Sequence, residues 1–179
     1  MPIAKAFNVS MNSDVKYLEQ FFRDYNQFVY RTAYSVTGSA EDAEDVLQTV
    51  FVGLLRRELP PELSKNPKGY FYRAAFNLSL NTIRYRKRHP STEDVEALKA
   101  LPSPSKPEES DELEKRLHEA IAELTQRAAE IMVLRYVHNQ RVAEIARILG
   151  TSRSAVAVSL FRSRSQLKKL IRASFGESI

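Results

Sequence analysis

Apolar residues recur at three- and four-residue intervals along nearly all of this 179-residue chain, and no useful stretch alternates with period two. That periodicity belongs to amphipathic helices rather than strands, so the fold is predicted to be all-α. Val15, Leu18, Phe21, Phe22, Tyr25, Phe28, Val29 and Ala33 form one stripe and predict a first helix from Ser13 to about Val36. Residues 1–12 lack the pattern and are predicted to be a flexible N-terminus. Gly38 ends the helix, and Ser39 with Asp42 three residues on makes a capping-box-like start for the next. Ala43, Val46, Leu47, Val50, Phe51, Leu54 and Leu55 then form an apolar face. Glu41, Asp42, Glu44, Asp45 and Gln48 take the remaining positions and read as a solvated or partner-binding face, with acids where the helix dipole favours them.

Leu59-Pro60-Pro61 breaks the chain, and Asn66-Pro67 restarts it, because asparagine caps a helix and proline suits its first turn. The predicted third helix, 67–88, is aromatic in its first half (Tyr70, Phe71, Tyr72, Phe76) and densely basic at its end, Arg84-Tyr85-Arg86-Lys87-Arg88. Aromatic faces stack on unpaired bases, and cationic side chains neutralise phosphates. Core packing of the rings and a basic terminus complementing the dipole account for the same residues. Helical spacing does not bury Tyr70, Phe71 and Tyr72 on one face together. Residues 89–110 hold four of the eight prolines among Ser, Glu and Lys, which predicts a linker, with Val95 to Leu101 able to form a helical turn.

Beyond the linker, Leu113, Leu117, Ala120, Ile121 and Leu124 predict a helix capped by Ser110, and Thr125 caps the next. Residues 142–164 then read VAEIARILGTSRSAVAVSLFRSR. The spacing of Ala146, Gly150 and Val156 fits two helices packed across a tight turn. A small residue sits at their contact, a glycine able to take φ > 0 at the corner, and a branched apolar residue locks the second helix down. Thr151 or Ser152 supplies its N-cap, and the helix extends through Leu167, Leu170 and Ile171 before Gly176. A DNA-reading helix-turn-helix fits this pattern, as does an ordinary helical hairpin. The expected architecture is two small helical domains joined by a flexible linker: 13–88, the linker 89–110, and 111–175 with the helix-turn-helix.

With no cysteine, disulfides, thiolate metal sites and cysteine catalysis are excluded. His89, His118 and His138 stand at no zinc-ligand spacing. No glycine-rich phosphate loop, HExxH pair or Gly-x-Ser-x-Gly elbow occurs, so no catalytic residue set, metal or cofactor is expected. A net charge of +5 suits a polyanionic partner. The longest apolar runs are only a few residues, and the first thirty residues resemble no leader, so a cytoplasmic protein without membrane insertion is expected.

In their order, DAEDVLQTVFVGLLRR (42–57), NPKGYFYRAAFNLSLNTIRYRKR (66–88) and LTQRAAEIMVLRYVHNQRVAEIARILGTSRSAVAVSLFRSRSQLKKLI (124–171) resemble a bacterial RNA polymerase sigma factor of the extracytoplasmic function group. The resemblance implies the second and fourth domains of the sigma-70 family, without the first and third. It implies a factor that binds core RNA polymerase, directs promoter recognition and DNA opening, and catalyses no bond change. Asp45, Gln48, Thr49 and Val52 would then dock on the clamp helices of the largest subunit. Asn66, Lys68, Tyr70, Arg73 and Asn77 would capture the minus-10 strand, with Arg84, Arg86, Lys87 and Arg88 on phosphates. The C-terminal domain would sit under the flap of the second-largest subunit. Thr151, Arg153, Ser154, Ala157, Val158, Arg162 and Arg164 would read the minus-35 element. An anti-sigma factor would silence the protein by binding across both domains.

Two departures stand out. Tyr70 occupies a position where the family often has Trp. Ser154-Ala155-Val156-Ala157-Val158-Ser159 replaces a Gly-Thr-Val-Lys-Ser-Arg type run, so two basic side chains are missing from the reading helix. Each lost phosphate contact weakens binding and flattens its salt dependence, whereas Ala157 and Val158 can press on thymine methyls. Leu124-Thr125-Gln126 likewise replaces the usual Leu-x-Pro, with Thr125 capping the helix instead. The competing readings are a stand-alone helix-turn-helix regulator and an interaction protein whose apolar last helix docks on protein.

Overall fold

The computed structural model describes residues 3–56, 59–89 and 123–175, and among these the regular structure is entirely helical. Helix α1 spans Ile3–Thr37, α2 Ala40–Leu55, α3 Pro61–Lys65 and α4 Pro67–Arg88. After them come α5 Gln126–Met132, a π-helical stretch Val133–Val137, α6 Val142–Leu149 and α7 Arg153–Phe175. The expected linker lies outside the described residues except for His89, as does most of the helix expected after Ser110.

Local chemistry sets most of the boundaries. Gly38, at φ +66°, turns the chain out of α1, and its N–H donates to the Tyr34 carbonyl at 2.8 Å. The Ser39 hydroxyl accepts from the Asp42 N–H at 3.3 Å, Asn66 Oδ1 from the Gly69 N–H at 3.0 Å, and Thr125 Oγ1 from the Ala128 N–H at 3.4 Å. Each side chain satisfies one of the amides that a helix start leaves without a partner. Two elements differ from expectation. Helix α1 begins at Ile3 rather than near Ser13, since extending a helix already nucleated by a packed stripe costs little. The Pro60-Pro61 break also contains a five-residue helix, with Pro61 in its first turn and Leu63 buried.

Helix α4 lies between two cores. Phe71 and Ala75 face a cluster with Val29 and Ala33 of α1 and Val46, Val50, Phe51 and Leu54 of α2. Tyr72 and Phe76, one position on, face a second cluster with Ile131, Leu134, Ile145, Ile148, Val156 and Leu160 of the C-terminal segment. Phe71, Tyr72 and Phe76 are all 0 % exposed. One amphipathic face accommodates only one of these pairs; covering the helix from opposite sides buries both. The phenol of Tyr72 is satisfied across the junction, donating to the Glu130 carbonyl at 2.6 Å.

The two helical units expected on either side of the linker therefore share a core. Further hydrogen bonds cross from α1, where Arg31 donates to the Val137 carbonyl at 2.7 Å and Thr32 Oγ1 lies 2.8 Å from His138 Nε2. The Thr32 hydroxyl donates to the Phe28 carbonyl at 2.8 Å, so its oxygen accepts from His138 Nε2–H. Asn139, at φ +51°, makes the turn after the π-helical stretch, a conformation asparagine tolerates.

Candidate polymerase and nucleic-acid interfaces

Asp45, Gln48, Thr49 and Val52 recur at helical spacing on the exposed side of α2. Ala43, Val46, Val50 and Leu54 anchor the opposite side. Beyond Val52 the surface becomes apolar: Leu55 is 62 % exposed, and Phe22 of α1 stands at the rim of a groove shared with Leu18, Phe51 and Leu55. A polar stripe running into an exposed apolar end suits docking of another protein's helix. Asp42 does not belong to that stripe. It is buried, and its carboxylate lies 2.7 Å from Arg86 at the far end of α4. Burial raises its pKa, opposed by the Arg86 charge, with Asp45 and Glu41 adding to the rise. Acidic periodicity had placed Asp42 on the solvated face; the arrival of α4 makes it an internal ion-pair partner.

The start of α4 assembles Asn66, Lys68 and Arg73 against the other unit. Asn66 Nδ2 donates to the carbonyls of Arg147 at 3.2 Å and Ile148 at 3.3 Å. Arg73 donates to the same Ile148 carbonyl at 3.2 Å, and Lys68 Nζ lies 3.1 Å from Gln140 Oε1. Asn77 accepts from Gln126 Nε2 at 3.1 Å. Tyr70 is half-buried, edge-on to Phe71, and lines a cleft between α2 and α4 with Thr49, Arg56, Asn77 and Asn81. Of the basic terminus, Arg84 and Arg88 are exposed, while Arg86 is engaged by Asp42; the side chain of Lys87 lies outside the description.

The helix-turn-helix forms around the anticipated corner. Gly150 adopts φ +64°, ψ 44°, Ala146 is nearly buried and Val156 wholly so. The cap is Ser152, whose hydroxyl accepts from the Ala155 N–H at 3.1 Å. Arg153, Ser154, Ala157, Val158, Arg162 and Arg164 are exposed along α7, and Thr151 is partly covered at the corner. Arg164 hydrogen-bonds the Tyr136 hydroxyl and lies over its ring, 5.7 Å from the centroid. Phe161 was missed by the sequence reading. It is 74 % exposed, one helical turn beyond Ala157 and Val158, and it completes an apolar strip between the arginines. That spacing was the signal available in the sequence.

Residues 21–89 match the family model for sigma-70 region 2, and residues 114–167 match that for sigma-70 region 4. Over 153 residues the chain is 31 % identical to the RNA polymerase sigma factor SigV of Bacillus subtilis, covering 82 % of this chain and 88 % of the relative. This chain belongs to the sigma-70 family, in its extracytoplasmic function group. It is likewise 25 % identical over 159 residues to the extracytoplasmic function sigma factor SigW of the same organism, covering 83 % of this chain and 85 % of that one. In fold, it is similar to CnrH, solved in complex with the cytosolic domain of CnrY (TM-score 0.59, 19 % identity, 93 % and 94 % of the two chains). A similar fold is seen in RpoE from Bartonella quintana, solved with the anti-sigma factor NepR (TM-score 0.56, 18 % identity, 88 % and 98 % covered).

As a sigma factor the protein directs promoter recognition by RNA polymerase at transcription initiation. The α2 stripe and the α4 cluster fall inside the region 2 match, and the α7 residues fall inside the region 4 match. Among the described residues, no helix is long and apolar enough to cross a membrane, and no three His, Asp or Glu side chains are arranged to hold a metal ion.

Proposed function

We propose that 13–88 and 111–175 divide the work of this sigma factor between them. Asp45, Gln48, Thr49 and Val52 engage the clamp helices of the polymerase's largest subunit, and the C-terminal unit sits under the flap of the second-largest. Asn66, Lys68, Tyr70, Arg73 and Asn77 take the minus-10 strand, with Arg84, Arg86, Lys87 and Arg88 on its phosphates. Thr151, Arg153, Ser154, Ala157, Val158, Arg162 and Arg164 meet the minus-35 duplex, with Phe161 added to that set. The protein acts in the cytoplasm with polymerase and makes or breaks no covalent bond. A protein of anti-sigma type, such as the one bound to the RpoE chain of similar fold, holds it inactive.

The donor groups of Asn66, Lys68 and Arg73 carry this reading: they turn away from their own unit's core and converge on acceptors outside it. A set of convergent donors beside a half-buried tyrosine is the equipment an unpaired strand needs. Arg86 would have to leave Asp42 to join it. Reconstitution with core polymerase and run-off transcription tests the assignment. Gln48→Ala should weaken core binding, and Lys68→Ala with Arg73→Ala should slow promoter opening while core affinity holds. Wild-type behaviour of all three variants in both assays rejects it.

A further inference from the structure

We propose that the minus-35 element is selected through the 5-methyl groups of its pyrimidines, thymine or 5-methylcytosine, by an apolar ridge of Ala157, Val158 and Phe161 on α7. The proposal rests on the reading of α7 as the minus-35 helix and names what that helix recognises. Val156, Leu160 and Ser163 recur at three- and four-residue spacing and are all buried, with the Ser163 hydroxyl donating to the Ser159 carbonyl at 2.8 Å. They fix which side of α7 faces the core. The ridge stands on the other side, with Val158 and Phe161 among the exposed large apolar residues and Ala157 exposed beside them. From Ser154 to Phe161 the helix carries no charged side chain. Arg153 lies one turn before Ala157 and Arg162 one turn after Val158, so a cation stands at each end of the ridge. The whole of α7 holds six basic residues and no acidic one. A ridge framed in this way fits a polyanion rather than an apolar protein face.

The chemistry of the ridge limits what it distinguishes. Ala157, Val158 and Phe161 have neither donor nor acceptor in their side chains, so they do not tell the O4 of thymine from the N4 amine of cytosine. The one apolar group that a base edge offers in the major groove is the methyl at C5 of thymine. 5-Methylcytosine carries the same methyl at the same atom. The neighbouring hydroxyls of Ser154 and Ser159 both donate and accept, and so do not choose between bases. Val158 and Phe161 are separated by about 4.5 Å of helix rise, little more than the roughly 3.4 Å between successive bases of one strand. The ridge therefore meets neighbouring bases, and two adjacent methylated pyrimidines are its natural ligand. Arg153 and Arg162 hold the flanking phosphates and supply affinity without base choice.

Polymerase holoenzyme reconstituted with the full chain selects bound fragments from random-sequence duplex DNA. The upstream protected segment of an enriched fragment is then resynthesised with thymine, uracil, cytosine or 5-methylcytosine at its pyrimidine positions. Uracil in place of thymine removes only the methyl. Binding should fall about fourfold for each methyl lost under the ridge. Cytosine should bind as weakly as uracil, and 5-methylcytosine should restore most of the loss. Equal binding of the thymine and uracil fragments overturns the proposal, and a loss that 5-methylcytosine does not restore overturns selection by the methyl alone. Val158→Ser with Phe161→Ser, both at exposed positions, should bring the thymine fragment down to the uracil one while leaving the salt slope unchanged; a surviving preference for thymine rejects the ridge. If Arg153→Ala and Arg162→Ala also leave binding of the thymine fragment unchanged, the minus-35 reading fails and this proposal with it. If those arginines matter and uracil binds like thymine, only methyl selection fails. Weakened assembly of the serine variant with core polymerase, with thymine and uracil bound alike, would place the strip on protein and overturn the proposal.

Discussion

His138 is the residue whose chemistry depends most on the junction. Its ring packs at a tilt against Phe28, with centroids 4.2 Å apart, and in its neutral form donates to Thr32. Burial lowers its pKa to about 4, and the charges of Arg31 and Lys68 push it the same way. The folded protein thus resists protonating a group that the unfolded chain protonates near pH 6.5. Stability from this residue is full above about pH 6.5 and falls as pH drops toward 4, by at most about 1.4 kcal/mol per pH unit. The melting temperature should therefore fall as pH drops across that window, and His138→Gln should remove much of the dependence. A parallel pH profile for the variant would assign the effect elsewhere. Tyr72→Phe isolates a second junction bond: removing the phenol's donation to the Glu130 carbonyl should cost about 1 kcal/mol in denaturant unfolding.

Two glycines show how differently elements constrain sequence. Gly150 has nothing within 4 Å of an added Cβ, yet its φ of +64° strains any L side chain. Gly150→Ala should therefore cost about 1–2 kcal/mol through backbone conformation alone. Gly69 has an ordinary helical backbone, and what limits it is the space taken by Asn66 and Ile148. Only the first was legible from spacing. On α7, Arg153→Ala and Arg162→Ala should weaken minus-35 duplex binding and each reduce the salt slope by about one unit. Phe161→Ala should weaken it with the slope unchanged, because an apolar contact releases no counterion. Since Phe161 is exposed, urea melts of that variant should stay within about 0.5 kcal/mol of wild type. A change of slope with Phe161→Ala would mean the strip is not in the groove.

At the scale of the molecule, the shared core predicts cooperative behaviour that two tethered domains lack. Tyr72 and Phe76 belong to the same cluster as Ile145, Val156 and Leu160, so neither unit completes its burial alone. Free protein should melt in one transition with coincident circular dichroism and fluorescence changes; two resolved transitions would show that the junction contributes little.

The sequence by itself determined the helical class, the caps at Ser39, Asn66 and Thr125, the corner at Gly150 and the family, because each follows from local periodicity, a single side-chain bond or an ordered set of motifs. It did not reveal that Phe71 and Tyr72 are both buried, that Asp42 and Arg86 pair, or that the donors of Asn66, Lys68 and Arg73 are already taken. Each of those depends on a partner tens of residues away. Periodicity describes one face of one helix; burial on two faces, the pairing of charges and the occupancy of a binding site are decided by what packs against it.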